Sequence, residues 1–166
     1  MIGKSVLSIG GQVDDRGYFK GVDVDHWMVM DVSEEFNPDI LFDINKPITD
    51  EDGDLFIDYE WFGHFDKVLA LNLWEYVYDP VTAHRNIYQL LESGGSYLGS
   101  YVFVYGKHNP AGTDYLRYTD DGIRKILTVC GFKDIEIQPI LARSDGLSQF
   151  YRQEGMRVRK DEDHDV

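Results

Sequence analysis

Apolar runs of strand length, each closing on a glycine or a polar residue, alternate along this chain with segments of helical spacing, and that alternation constrains the fold more than any other feature. The runs are Ser5 to Ile9, Trp27 to Asp31, Asp39 to Asp43, Asp66 to Leu73 and Tyr97 to Tyr105. Buried runs of this kind belong to strands covered on both faces, so the pattern predicts a doubly wound α/β domain with a mostly parallel, Rossmann-like sheet. Two helices between them are well punctuated. Asp79-Pro80 supplies an N-cap and an N1 proline, His84, Ile87, Tyr88 and Leu91 follow at helical spacing, and Gly94-Gly95 is read as the stop. Thr119-Asp120-Asp121 opens the second, with Ile123, Ile126, Leu127 and Cys130 on one face and Gly131 at the end. Lys133 to Leu141 and Gln149 to Val158 read as two further strands, the last antiparallel, while Ile48 to Phe65 is the least readable stretch.

The length of 166 residues suits one domain, taken as 1–158, followed by a charged tail, 159–166, expected to be disordered. No apolar run is long enough to span a membrane, and the first residues lack a secretion signal, so a cytoplasmic protein is expected. One cysteine, Cys130, rules out an internal disulfide and reads as core, and no Cys or His cluster has zinc-ligand spacing. Thirty acidic against sixteen basic residues give a net charge of −14, which argues against a nucleic-acid partner.

A doubly wound sheet binds ligands beyond the carboxyl ends of its strands, and the chemistry collects there. Gly10-Gly11 would let the backbone approach a ligand at the end of the first strand; an ordinary tight turn is the alternative. Asp31 lies 20 residues after Gly11, the spacing at which an acid accepts ribose hydroxyls, or it is a turn acid. Trp74 and Glu75, just past the fourth strand, stand where a cofactor would be walled, with helix-start packing as the other reading. Carboxylates at Asp14 and Asp15 disfavour a dinucleotide, because a pyrophosphate beside them would meet like charge at about 1 kcal/mol or more. A sulfonium and an ammonium would be attracted instead.

Taken in order, Val6-Leu7-Ser8-Ile9-Gly10-Gly11, Met30-Asp31-Val32, Pro38 to Ile44, Phe65-Asp66-Lys67-Val68, Leu73 to Pro80, Leu90 to Gly95 and Asp114-Tyr115-Leu116-Arg117-Tyr118-Thr119 resemble the class I S-adenosylmethionine-dependent methyltransferases of the small-molecule type, over about residues 5 to 140. The resemblance implies S-adenosyl-L-methionine as cofactor, held by Gly10, Gly11, Asp31, Asp43, Asn72 and Trp74, with Asp43 at the adenine amino group. It implies a small-molecule methyl acceptor, with His108 in the loop after the fifth strand as base and Tyr115, Arg117 and Tyr118 lining the acceptor pocket. Two positions depart from the family: Ser8 stands where an acid is usual and Gln12 where a further glycine is usual. The helix between the first two strands is squeezed into Asp14 to His26, and the first strand starts near residue 5, without the segment that covers the cofactor in relatives. These departures keep an alternative open, a non-catalytic methyltransferase-like domain that binds S-adenosylmethionine or a protein partner. They also lead to the expectation that apolar residues around an open cleft are exposed, and that either a homodimer covers it or a monomer holds its cofactor only weakly.

Overall fold

The computed structural model describes residues 4–11, 24–50, 52–103, 106–107, 112–141, 151–153 and 158–159. The chain runs β1 (Ser5–Ile9), β2 (His26–Asp31), β3 (Ile40–Leu41), β4 (Phe65–Ala70), α1 (Pro80–Leu90), β5 (Leu91–Gly99), β6 (Tyr101–Val102), α2 (Asp120–Val129), β7 (Pro139–Leu141), β8 (Tyr151–Gln153) and β9 (Val158–Arg159). Six strands form one sheet in the order β3-β2-β1-β4-β5-β9, parallel except for β9, which runs antiparallel to β5. The expected doubly wound sheet with an antiparallel last strand is what forms. β1 lies at the centre, and all five of its residues are buried, which is why it reads as an unbroken apolar run.

The helix ends follow from local chemistry. Asp79 Oδ1 accepts from Thr82 N at 3.1 Å, Pro80 takes the first helical position, and the two together start α1. Thr119 Oγ1 accepts from Gly122 N at 3.1 Å to start α2, and Gly131, at φ +99°, ends it in the left-handed conformation. Cys130 is core, as read from the sequence, and burial pushes its thiol up to about 11.

The structure corrects several boundaries. Helix α1 stops at Leu90 rather than at Gly94-Gly95, because Leu91 turns extended and pairs with Phe65. The two glycines instead form an irregularity inside β5, where the register jumps from Phe65↔Leu91 to Lys67↔Ser96. A Cβ on Gly95 would sit 2.9 Å from Glu92 O, so the irregularity needs glycine there. The expected strand Tyr97 to Tyr105 is thus shifted toward the N-terminus and split at Ser100, with Tyr101–Val102 passing into a second sheet of order β6-β8-β7. Residues 133–138 carry no strand, and the stretch read as Gln149 to Val158 contributes Tyr151–Gln153 and the start of β9.

Behind the sheet's carboxyl edge lies a column of aromatic side chains. His84, on α1, stacks on Trp74 with ring centroids 3.9 Å apart and planes at 11°. Its Nε2 is 2.6 Å from the Tyr101 hydroxyl, which is 2.9 Å from that of Tyr97, and its Nδ1 is 2.5 Å from Pro80 O. A carbonyl can only accept, so Nδ1 carries the proton and Nε2 accepts from Tyr101. All four rings are buried.

Candidate functional site

At the carboxyl end of β1 the chain turns through Gly10, which takes φ +66° and donates its N–H to Met30 O at 2.9 Å. A Cβ there would lie 2.8 Å from Leu73 Cδ1, so a side chain would close the gap between the ends of β1 and β4. Gly11 is buried behind it. Asp31 ends β2, and its Oδ1 accepts from Ser33 N at 2.8 Å, a turn that fixes the carboxylate at the mouth of the sheet. The structure therefore brings Gly10, Gly11 and Asp31 to one edge, β1 and β2 being adjacent strands. Asn72 lies past β4 on the same edge with φ 53°, its N–H donating to Ser100 Oγ at 2.9 Å.

Beside Asp31 is a cavity of about 420 Å³ lined by Val32, Leu41, Phe42, Asp43, Lys46 and Phe56. Its walls are mostly apolar, with one carboxylate and one ammonium, the composition of a site for a flat heteroaromatic ring. Val32 is 67% exposed and Phe56 58%, in line with the expectation of uncovered apolar surface around the cleft. Asp43 Oδ1 accepts from the Asn45 backbone at 3.1 Å and from Asn45 Nδ2 at 3.0 Å. Asn45 Oδ1 in turn accepts from Tyr78 N and Asp79 N, tying the loop after β3 to the start of α1.

Sequence reasoning missed two of the residues that build this site. Asn86, buried on α1, donates through Nδ2 to Ile44 O at 2.9 Å and Lys46 O at 2.7 Å, and its Oδ1 accepts from Ile48 N at 3.3 Å. It holds the loop under the cavity, and its one sequence signal was a polar residue two places from His84 on the buried face. Phe56 belongs to the stretch that resisted reading, which Ile48 and Phe56 N pull back onto itself with a 2.9 Å bond.

Other expected site residues lie elsewhere. Trp74 is fully buried against His84 and belongs to the core rather than the wall of the cleft, because its ring is enclosed by the aromatic column. Tyr118 is also buried; its hydroxyl donates to Trp74 O at 3.0 Å, and burial raises its pKa. Arg117 is bound through both guanidinium nitrogens by Asp114, with a further bond from Nη1 to Leu116 O at 2.9 Å. The hydrogen bonds it donates to Asp114 raise its pKa further, so its charge is compensated within the loop and is not presented to an anion. Tyr115 alone of the three is an exposed ring at the edge, 5.7 Å from Tyr78 and nearly perpendicular to it. His108 lies outside the described residues, as do Gln12, Asp14 and Asp15. Among the described residues no group of His, Cys, Asp and Glu is placed to hold a metal, and no helix is long and apolar enough to cross a membrane.

No protein-family model matches the sequence, and no curated protein matches it either. Solved structures do. Phosphoethanolamine N-methyltransferase 2 of Haemonchus contortus, in complex with S-adenosyl-L-methionine, superposes with TM-score 0.65 at 13% identity over 96% of this chain and 49% of its own. The trans-methyltransferase CalH, in complex with S-adenosylhomocysteine, gives TM-score 0.67 at 18% identity over 95% of this chain and 51% of its own. An S-adenosylmethionine-dependent methyltransferase from Mesorhizobium loti gives 0.64 at 15% identity over 95% of this chain and 91% of its own. The chain spans about half the length of the first two. With this strand order and these neighbours, the chain has the fold of the class I S-adenosylmethionine-dependent methyltransferases.

Proposed function

We propose that the chain binds S-adenosylmethionine along the edge from Gly10 to Asp43 and transfers its methyl group to a small-molecule acceptor. The observation that carries this reading is the apolar cavity between the ends of β2 and β3, next to Asp31 and bordered by Asp43. It suits an adenine ring, with Val32 and Phe56 against its faces and Asp43 at its amino edge. Asp31 then accepts from the ribose hydroxyls, and the open backbone at Gly10-Gly11 receives the methionine portion. A negative chain attracts the sulfonium and the ammonium of the cofactor and repels phosphates. Methyl transfer to an already activated carbon asks of the protein mainly alignment and the removal of a proton from the acceptor, the role we assign to His108.

A calorimetric titration with S-adenosylhomocysteine tests the reading. Asp31→Ala should weaken binding at least tenfold, about 1.4 kcal/mol. Unchanged affinity in a folded variant removes Asp31 from the ribose. A second reading, binding without transfer, is favoured by Ser8, which is buried within β1 and leaves the strand without the usual acid. It requires cofactor binding with no turnover on any acceptor.

A further inference from the structure

Val32, Leu41 and Phe56, which wall the cavity between the ends of β2 and β3, are all exposed, and Leu55 beside Phe56 is exposed as well. Large apolar side chains gathered in water in this way mark a surface that another molecule covers. Acids stand at each of these walls. Glu34 lies two residues past Val32, Asp43 two past Leu41, and Asp54 and Asp58 two residues to either side of Phe56. Glu34, Asp54 and Asp58 are exposed, as is Glu35 on the turn Glu34–Phe36. Among the described residues no lysine or arginine forms a salt bridge with any of them; the ion pair that does form joins Arg117 to Asp114.

The charge is concentrated on this part of the chain. From Asp31 to Glu60 there are eleven acidic residues and one basic residue, Lys46, a net charge of −10 out of −14 for the whole protein. The rest of the chain is itself negative, at −4, so no other segment brings the positive charge that this one lacks. The cofactor's sulfonium and ammonium, partly offset by its carboxylate, match little of it. Nucleic acids and anionic lipid surfaces present phosphates and are repelled, and a second copy would bring the same acids to the same face. What complements the face is a polypeptide segment with lysines or arginines set between apolar side chains, its cations against the acids and its apolar groups against Val32, Leu41 and Phe56.

We propose that the face formed by Val32, Leu41 and Phe56 docks a basic segment of another protein that carries apolar anchors, with Glu34, Glu35 and Asp58 drawing it in. The proposal does not rest on the methyltransferase reading, since neither the apolar walls nor the acids need a cofactor in the cavity. Its test titrates the full-length protein into three labelled synthetic peptides of equal length, followed by fluorescence anisotropy: alternating lysine and leucine, alternating lysine and glycine, and alternating glutamate and leucine. The lysine–leucine peptide should bind about tenfold or more tightly than either of the others. Glu34→Gln, Glu35→Gln and Asp58→Asn together should weaken it about fivefold or more, whereas removing three acids on and after α2 (Asp120→Asn, Asp121→Asn and Glu136→Gln) should change it less than about twofold. Leu41→Ser, at an exposed position on β3, should weaken it about threefold or more. Equal binding of the lysine–leucine and lysine–glycine peptides, or equal losses in the two triple variants, reduces the effect to bulk charge and overturns the proposal. No binding of the lysine–leucine peptide overturns it as well, as does a dimer of this chain that excludes the peptide, which gives the face to a second copy. If Leu41→Ser does not fold, the contrast between the two triple variants, all at exposed positions, decides. Peptide binding with this selectivity in a protein that ignores S-adenosylhomocysteine would uphold the docking face and sink the cofactor reading.

Discussion

Replacing His84 should change how the protein responds to acid, and by an amount that can be worked out in advance. The ring is sealed between Trp74 and Tyr101, and burial lowers its pKa from 6.5 to about 3, against a smaller opposing effect of the Pro80 carbonyl. Above about pH 6.5 both folded and unfolded chains hold this histidine neutral, and its contribution is fully present. Below that, the unfolded chain binds a proton that the folded one refuses. Stability is then lost at about 1.4 kcal/mol per pH unit until the folded pKa is reached. Between pH 7 and pH 5 the loss is about 2 kcal/mol, a figure insensitive to the folded value so long as that lies well under 5. Protonation is also resisted by the hydrogen bonds, since Nε2–H would have to donate to a Tyr101 hydroxyl that now donates to it. Urea unfolding of wild type and His84→Gln at pH 7, 6 and 5, followed by tryptophan fluorescence, isolates this one proton, because every other titrating group is common to both. The variant, with a side-chain oxygen to accept from Tyr101, should be about 1–2 kcal/mol less stable at pH 7 and lose about 2 kcal/mol less on going to pH 5. Equal losses in the two proteins would refute the reasoning.

Gly10→Ala meets both a positive φ and Leu73 Cδ1 at 2.8 Å, so it should cost about 1–2 kcal/mol in unfolding free energy and weaken S-adenosylhomocysteine binding in the same titration. His108→Ala should cut turnover on a found acceptor by about 100-fold or more, with cofactor affinity intact; equal activity returns His108 to an ordinary loop role. If a second copy covers the exposed Val32, Leu41 and Phe56, light scattering should show a dimer that tightens from 0.01 M to 0.15 M salt, as screening reduces the repulsion between two chains of −14 each. A monomer across the whole series removes that expectation.

The sheet was legible because its strands are buried on both faces: Val6-Leu7-Ser8-Ile9 and Val68-Leu69-Ala70 allow few other readings. Helix starts were legible at Asp79-Pro80 and Thr119, where one side chain does the capping. The end of α1 was not, because Leu91 continues the helical spacing of His84 and Ile87 and is claimed by Phe65 across the sheet, a contact between residues far apart in sequence. The site divides the same way. Gly10 and Asp31 declare themselves through position at strand ends, whereas Trp74 and Tyr118, equally suggestive as letters, turn inward to the column around His84. Asn86 escaped notice because its work is to satisfy backbone groups of residues 44–48, which no local pattern announces.

The antiparallel strand β9 guards the flank of β5. Among the described residues, Val158 and Arg159 pair with it, opposite Tyr97 and Ser96. Without them β5 would be the border of the sheet, with a row of unmatched amide and carbonyl groups along Ser96-Tyr97-Leu98, an invitation to edge-to-edge stacking with another molecule. A cut by a protease ahead of Val158 would leave the strand ends at Gly10 and Asp31 untouched and still turn the protein into a template for aggregation.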